Sequence, residues 1–245
     1  MNIQIGSEFR KLATTRSIYA MLAGLAAVVA LGVVAIVTDG QPGALSARLE
    51  RQAFLHVSLT IAPLFGLLLG LRAFTDEFRY GSIVPTLLAS PDRRRVLGAK
   101  LVATAGGGIA LTLAATAVSI AIGAPLLLAK GVEITWSASA MAEVVGRLVG
   151  ATVLWTAIGV GLGLAVKHQV AATAGALVWL LAAEGIFSGL VPNVAKYFPG
   201  AAGFAIVGIN PADLLTPGLG ALLLGSYAAV AVGVGAVLMQ RRNIT

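Results

Sequence analysis

RAFTDEFRYGSIVPTLLASPDRRRVLGAK, residues Arg72 to Lys100, is the longest polar interruption in a chain otherwise built of long apolar runs. It holds six Lys/Arg residues (Arg72, Arg79, Arg93, Arg94, Arg95, Lys100) and three acids (Asp76, Glu77, Asp92). Between the charges lies a short apolar patch, Ile83 to Ala89. A plain connecting loop does not need such a patch. A helix that docks onto a cytosolic partner does.

The rest of the chain sets the solvent. Hydrophobic residues make up 58% of the 245 and charged residues 11%, with a mean hydropathy of +0.93. Soluble domains are about a quarter charged, so the composition is that of an integral membrane protein. A bilayer core of about 30 Å takes about 20 helical residues to cross. Six stretches have that length: Ser17–Val37, Phe54–Phe74, Val96–Ala129, Val144–Val166, Val170–Val191 and Leu219–Met239. They lack the apolar–polar alternation of barrel strands, and hydrocarbon leaves backbone groups no partner outside a helix. The expected fold is all-α and polytopic, one transmembrane domain over residues 1–245.

Lys and Arg placement gives the orientation. With the N-terminus inside, the inner segments carry Arg10, Lys11, Arg16, the six cations of the opening stretch, Lys167, Arg241 and Arg242. The outer segments carry Arg48, Arg51, Lys130, Arg147 and Lys196. Both termini are therefore expected in the cytosol. The formal charge of +7 is spread over these flanks rather than one basic face, which argues against a nucleic-acid partner. There are no cysteines, hence no disulfide or thiolate site. His56 and His168 fall on opposite sides in this topology and cannot share a metal. The first apolar run is too long for the core of a cleavable signal, and a charged segment precedes it.

Residues 2–16 place Ile5, Phe9, Leu12 and Arg16 on one helical face and Glu8, Lys11 and Thr15 on another. This predicts an amphipathic helix in the headgroup plane. In the opening stretch, Gly81-Ser82 predicts the start of a short helix with Ser82 as N-cap and Pro85 in its first turn. Ser90-Pro91-Asp92 predicts a second start, with Ser90 as the cap, running into span three. Asp76 and Glu77 are adjacent and diverge by about 100° on a helix, so they are read as partners of Arg79, Arg93 or a docking protein rather than a catalytic pair. Gly66 and Gly70 have GxxxG spacing, and glycines also cluster at 106–108 and at 159, 161 and 163. Packing within the chain is the expected use, a dimer seam the alternative. Pro192 to Gly218 is too apolar for a solvated loop and too broken for a span. It predicts a re-entrant or interfacial cap.

Several motifs fail on inspection. No Gly-x-x-x-x-Gly-Lys-Ser/Thr occurs, so ATP is expected on another chain. Asn210-Pro211-Ala212 occurs once, whereas a water channel of that type needs two copies, and it reads as an Asn-Pro turn. Ser188 has no histidine after His168 to act as its base. Glu184 is the one acid inside an expected span. It either lines a translocation path or tethers the Pro192–Gly218 cap, with Lys196 as a candidate partner.

The N-terminal SEFRKLATTRSIYAML and the TDEFRYGSIVPTLLASPDRRRVLGAKLV stretch together resemble the permease subunit of type-2 ATP-binding-cassette (ABC) exporters of bacteria. Members carry an acidic–aromatic–basic–Gly–Thr/Ser run, a short apolar helix, a Pro-x-Arg-Arg turn and a Lys opening span three. Here these read Glu77-Phe78-Arg79, Gly81-Ser82, Ile83–Ala89, Pro91-Asp92-Arg93-Arg94 and Lys100. Ser82 stands where Thr is commoner, which keeps the cap. Glu184 and Phe198-Pro199-Gly200 are similar to actinobacterial members. The motifs cover roughly 45 residues in two places; the likeness in topology covers the chain.

The resemblance implies an export permease in the plasma membrane that binds no cofactor itself. Two ATP-binding subunits would hold ATP and Mg²⁺, and a second permease copy or paralogue would complete the path. It also implies that the N-terminal helix is a connecting helix. Ser82, Ile83, Val84, Thr86, Leu87 and Leu88 would form an ATPase-coupling helix flanked by Asp76, Glu77, Arg79, Arg93 and Arg94. A self-contained six-helix channel or a non-transporting membrane anchor are the alternatives, which a neighbouring gene with Walker motifs would exclude.

Overall fold

Leu25, Val29, Val33 and Val37 recur every fourth residue along the first apolar run and are at most 1% exposed. That spacing is one face of an α-helix, and the run folds as the helix Arg16–Asp39. The computed structural model describes residues 2–40, 55–82, 85, 88, 92–132, 137–166, 168–208 and 215–241. Among them there is no strand. Six helices are long and apolar enough to cross a membrane: Arg16–Asp39, His56–Arg79, Arg93–Ala129, Ala138–Ala165, Gln169–Leu190 and Pro217–Arg241. The chain is an all-α, polytopic membrane protein. The helix Asn2–Thr14 precedes the spans, and two short helices, Pro192–Ala195 and Pro199–Val207, join spans five and six.

Span four is the centre of the bundle and packs against spans two, three and six. Glycine makes this possible. Gly66 and Gly70 of span two face Thr152 and Thr156 of span four, and a Cβ on Gly70 would run into the Thr156 carbonyl. In return Gly159 and Gly163 of span four lie on the backbone of Leu67 and Leu71, and Gly161 on that of Ala231 in span six. The GxxxG pair of span two is therefore used inside the chain. Gly106, Gly107 and Gly108 of span three do the same work in three directions, toward Phe9, Leu69 and Thr156. Ser58 adds a polar tie from span two, 3.0 Å from the Ala115 carbonyl and 2.5 Å from Ser119 Oγ.

Side-chain contacts fix which helix ends lie together. At one end Lys130 Nζ donates to the carbonyls of Thr38 and Gly40, both at 2.9 Å. At the other, Arg79 donates to Gln169 Oε1 at 3.1 Å, and Arg93 to the Met239 carbonyl. Phe74, Leu97, Val160, Leu164 and Met239 form a second small core beneath that end. Successive spans thus alternate in direction. Span three is the outlier in length. Its 37 residues measure about 55 Å at 1.5 Å each, against about 30 Å of hydrocarbon.

Three expectations are corrected here. Span three begins at Arg93, capped by Asp92 Oδ1, which accepts from Arg94 N at 3.0 Å and Arg95 N at 3.3 Å. Asp92 is the acceptor that meets these free first-turn N–H groups, and Ser90, the expected cap, lies outside the described residues. The N-terminal helix ends at Thr14, and Arg16 already belongs to span one. On that helix Phe9 is 41% exposed, and Glu8, expected on the polar face, is 8% exposed. Ile83, Val84, Thr86, Leu87 and the Asn210-Pro211-Ala212 turn lie outside the described residues. Pro85 and Leu88 are helical and exposed, and Ser82 is in the turn made by Gly81, whose φ is +67°.

Candidate functional site

Glu8 is buried because a cation is buried beside it. Lys100, about two turns into span three, is 3% exposed along its side chain. Its Nζ lies 2.8 Å from Glu8 Oε2 and 2.8 Å from Glu77 Oε1, and 5.2 Å from the centre of the Phe74 ring. Lys11 closes the set from the rim, 2.7 Å from Glu8 Oε1 and 3.2 Å from Glu77 Oε1. Two lysines and two glutamates thus join the N-terminal helix, the end of span two and the base of span three. The Phe9 ring on Gly106 and the Leu12 side chain near Gly107 seat the helix beside this network.

Glu8 and Lys11 are favoured in their charged forms. Burial pushes the Glu8 carboxyl up, but the Lys100 charge and hydrogen bond, with Lys11 behind them, outweigh it and leave the carboxyl below its ordinary value. Burial pushes Lys11 down, and its bonds to Glu8 and Glu77 outweigh that and leave it raised.

The other charged residues of the opening stretch go elsewhere. Asp76 pairs with Arg72, one turn away, at 3.1 Å, and Glu77 with the two lysines, so neither meets Arg79 or Arg93. Arg79 reaches Gln169 and stacks on Tyr80. Arg93 ties the base of span three to the end of span six. The Arg94 side chain is exposed. The structure brings Asp76 and Glu77 to one cavity together with Glu8, Lys11, Arg72 and Lys100. Glu8 and Lys100 as a buried pair were missed from sequence, because 92 residues separate them.

At the far end Glu184 reaches the cap. Span five is α-helical over Gln169–Val178, widens to a π turn over Trp179–Ala183, and resumes at Glu184–Leu190. Residues five apart diverge by about 140° on an α-helix. The wider turn brings Trp179 and Glu184 together, and Trp179 Nε1 donates to Glu184 Oε1 at 2.9 Å. Gly200 N donates to the same oxygen at 3.1 Å. Pro199 opens the cap helix, and Phe198 has no side-chain cap bond there. The carboxylate from span five supplies the acceptor its first turn lacks. A side chain at position 200 would collide with Glu184 Oε2. Trp179, Phe187 and Phe198 pack around the contact with ring centres 5.8–6.3 Å apart. Lys196 lies over Tyr197 instead, 5.3 Å from the ring centre.

This geometry separates two substitutions. Glu184→Gln keeps an acceptor for Trp179 and Gly200 and is expected to leave the thermal midpoint of the purified protein nearly unchanged. Glu184→Ala strands both donors and should cost about 1–3 kcal/mol. Equal midpoints for the two variants would remove the tether.

Among the described residues no group of three or more His, Asp or Glu side chains could hold a metal ion. No protein-family model matches this chain, and no curated protein matches it.

Proposed function

We propose that the chain is the permease subunit of an ATP-driven ABC exporter, embedded in the plasma membrane with both termini in the cytosol. The observation that carries this reading is the lock of Glu8, Lys11, Glu77 and Lys100 at the base of the overlong third span. That base emerges beside the charged stretch whose motifs resemble the family. A force applied to residues 82–89 by an ATP-binding partner would reach span three and the N-terminal helix as one body. Buried ion pairs hold such a body in register. Rigid-body movement of helices is how inward-open and outward-open states exchange.

Two further features support the reading. Leu88 is helical and 77% exposed at the charged end of the bundle, where an apolar side chain fits a protein partner. Span five is 11% buried against 61% for span four. A second permease copy on that face would complete a translocation path that six helices leave open. The substrate then crosses between the two copies, and ATP and Mg²⁺ are handled by the partner subunits.

The test replaces the apolar contact by charge. Leu88→Asp, combined with Val84→Asp and Leu87→Asp, should abolish co-purification with the ATP-binding subunit, or uncouple its hydrolysis from transport by tenfold or more. Membrane insertion should be unchanged. Normal assembly and transport in the triple variant would refute the coupling role.

A further inference from the structure

The charge network stands on the wall of a cavity. The N-terminal helix and spans one to three bound about 690 Å³, within the roughly 300–1,000 Å³ of small-molecule sites. Leu12, Ile18, Met21 and Leu69 give it an apolar lining. Glu8, Asp76 and Glu77 line it too, with Lys11, Arg72 and Lys100.

Formal charge on that wall cancels, so the ligand is decided by which polar groups stay open. The acceptors do not. Both Glu8 oxygens and Glu77 Oε1 are held by the lysines, and Asp76 Oδ2 by Arg72. The remaining two, Glu77 Oε2 and Asp76 Oδ1, are closed off from water. Donors do stay open. Arg72 uses Nε and Nη2 on one oxygen, Asp76 Oδ2, at 3.1 Å each. Its Nη1 makes no hydrogen bond among the described residues and, unlike those two oxygens, is not closed off. A guanidinium is a planar fork of five N–H groups. The edge formed by Nη1 and the second hydrogen of Nη2 therefore remains for a bidentate acceptor. Ser17 Oγ, also on the cavity wall, is likewise without a partner among the described residues and not closed off. The surroundings favour negative charge as well. Arg10, Lys11 and Arg16 are exposed, while Glu8, the one acid of the N-terminal helix, is buried. An ammonium head would find no open acceptor here, whereas a phosphate or carboxylate finds open donors beside an apolar lining.

We propose that this cavity binds an anionic amphiphile, its phosphate or carboxylate seated on the open edge of Arg72, with the Ser17 hydroxyl as a further donor on the same wall. The apolar body lies along Leu12, Ile18, Met21 and Leu69. Two sources carry this chemistry, an anionic phospholipid of the adjacent leaflet and a free lipophilic acid. The inference does not rest on the export reading, because it needs neither an ATP-binding partner nor transport.

The experiment compares two heads on one chain. Dodecanoate and dodecanamide, equal in length and different in charge, are titrated into the purified full-length protein at one concentration of nonionic detergent. Dodecanoate is expected to bind on the order of tenfold tighter. Arg72→Lys keeps the charge and a partner for Asp76 but loses the fork, so it should narrow that ratio severalfold. Native mass spectrometry from nanodiscs of equal phosphatidylglycerol and phosphatidylcholine separates the sources. Selective retention of phosphatidylglycerol by the parent, lost in Arg72→Lys, identifies the lipid. Unselective retention, with dodecanoate still preferred, identifies a free acid. A ratio or a lipid selectivity that Arg72→Lys leaves unchanged would move the anion to the surface cations and overturn the site. Equal binding of dodecanoate and dodecanamide by the parent protein would overturn the proposal outright, and that comparison stands even where the variant fails to fold.

Discussion

Lys100→Met is expected to cost on the order of 3–5 kcal/mol of stability, the cost of leaving buried charges without their partner. Glu8 and Glu77 are 8% and 7% exposed, and Lys100 is the cation that lies within 2.8 Å of both. Lys11, half exposed at the rim, cannot replace it. The measurement is the thermal midpoint of the detergent-solubilised protein, read beside its monodispersity. The triple variant Glu8→Gln, Glu77→Gln, Lys100→Met removes the whole buried set and should recover most of the loss, because neutral groups of similar volume replace such sets at little cost. A parent-like midpoint for Lys100→Met alone would show that the lock carries no stability. The pH profile gives an independent reading. The Glu8 carboxyl is lowered in the folded chain, so its contribution is present above the ordinary carboxylate range and is lost as pH falls through the lowered value. Lys11 is raised, so its contribution is present below the ordinary lysine range and is lost only as pH rises through the raised value. Stability should therefore drop on the acid side first, and the triple variant should flatten that drop.

The fold was legible because lipid leaves few options. Runs such as Ser17–Val37 and Val144–Val166 are long and apolar without the alternation of barrel strands, and the helices Arg16–Asp39 and Ala138–Ala165 appear there. The ends were less legible where polar residues continue a helix. Arg93, Arg94 and Arg95 belong to the helix of span three although no apolar pattern marks them; only the helix start expected at residues 90–92 pointed to them, and Asp92 caps that helix. Span two likewise runs on to Arg79, through Asp76 and Glu77.

The site was half legible. Asp76, Glu77, Arg79, Arg93 and Glu184 stood out as charges near or within lipid, where each needs a reason. Their partners did not, since pairing across 92 residues for Glu8 and Lys100, or through a π turn for Glu184, leaves no local pattern. Helical periodicity assigned Glu8 to the water-facing side of its helix. That rule assumes a helix lying on lipid, and this one packs against a span that presents a buried lysine.

The seam between spans two and four should tolerate no side chain. Gly70→Ala and Gly159→Ala each place a methyl group against backbone of the facing helix, the Thr156 carbonyl in one case and the Leu67 carbonyl in the other. Backbone cannot turn aside as a side chain can, so the helices must separate. Thr152, Trp155 and Leu71 would then lose their packing along the same seam. Overpacking costs about 1–3 kcal/mol per site, and Gly70→Leu or Gly159→Leu should prevent folding altogether. Gly225 and Gly233 of span six supply the control, with nothing within 4 Å of a built Cβ. Alanine there removes only the conformational freedom of glycine and is expected to be neutral or stabilising by up to about 1 kcal/mol. The four alanine variants, compared by yield of monodisperse protein and by thermal midpoint, should fall into two classes. A Gly70→Ala protein as stable as Gly225→Ala would mean that spans two and four do not meet at this register, and the cavity and charge network that depend on span two's position would fall with it.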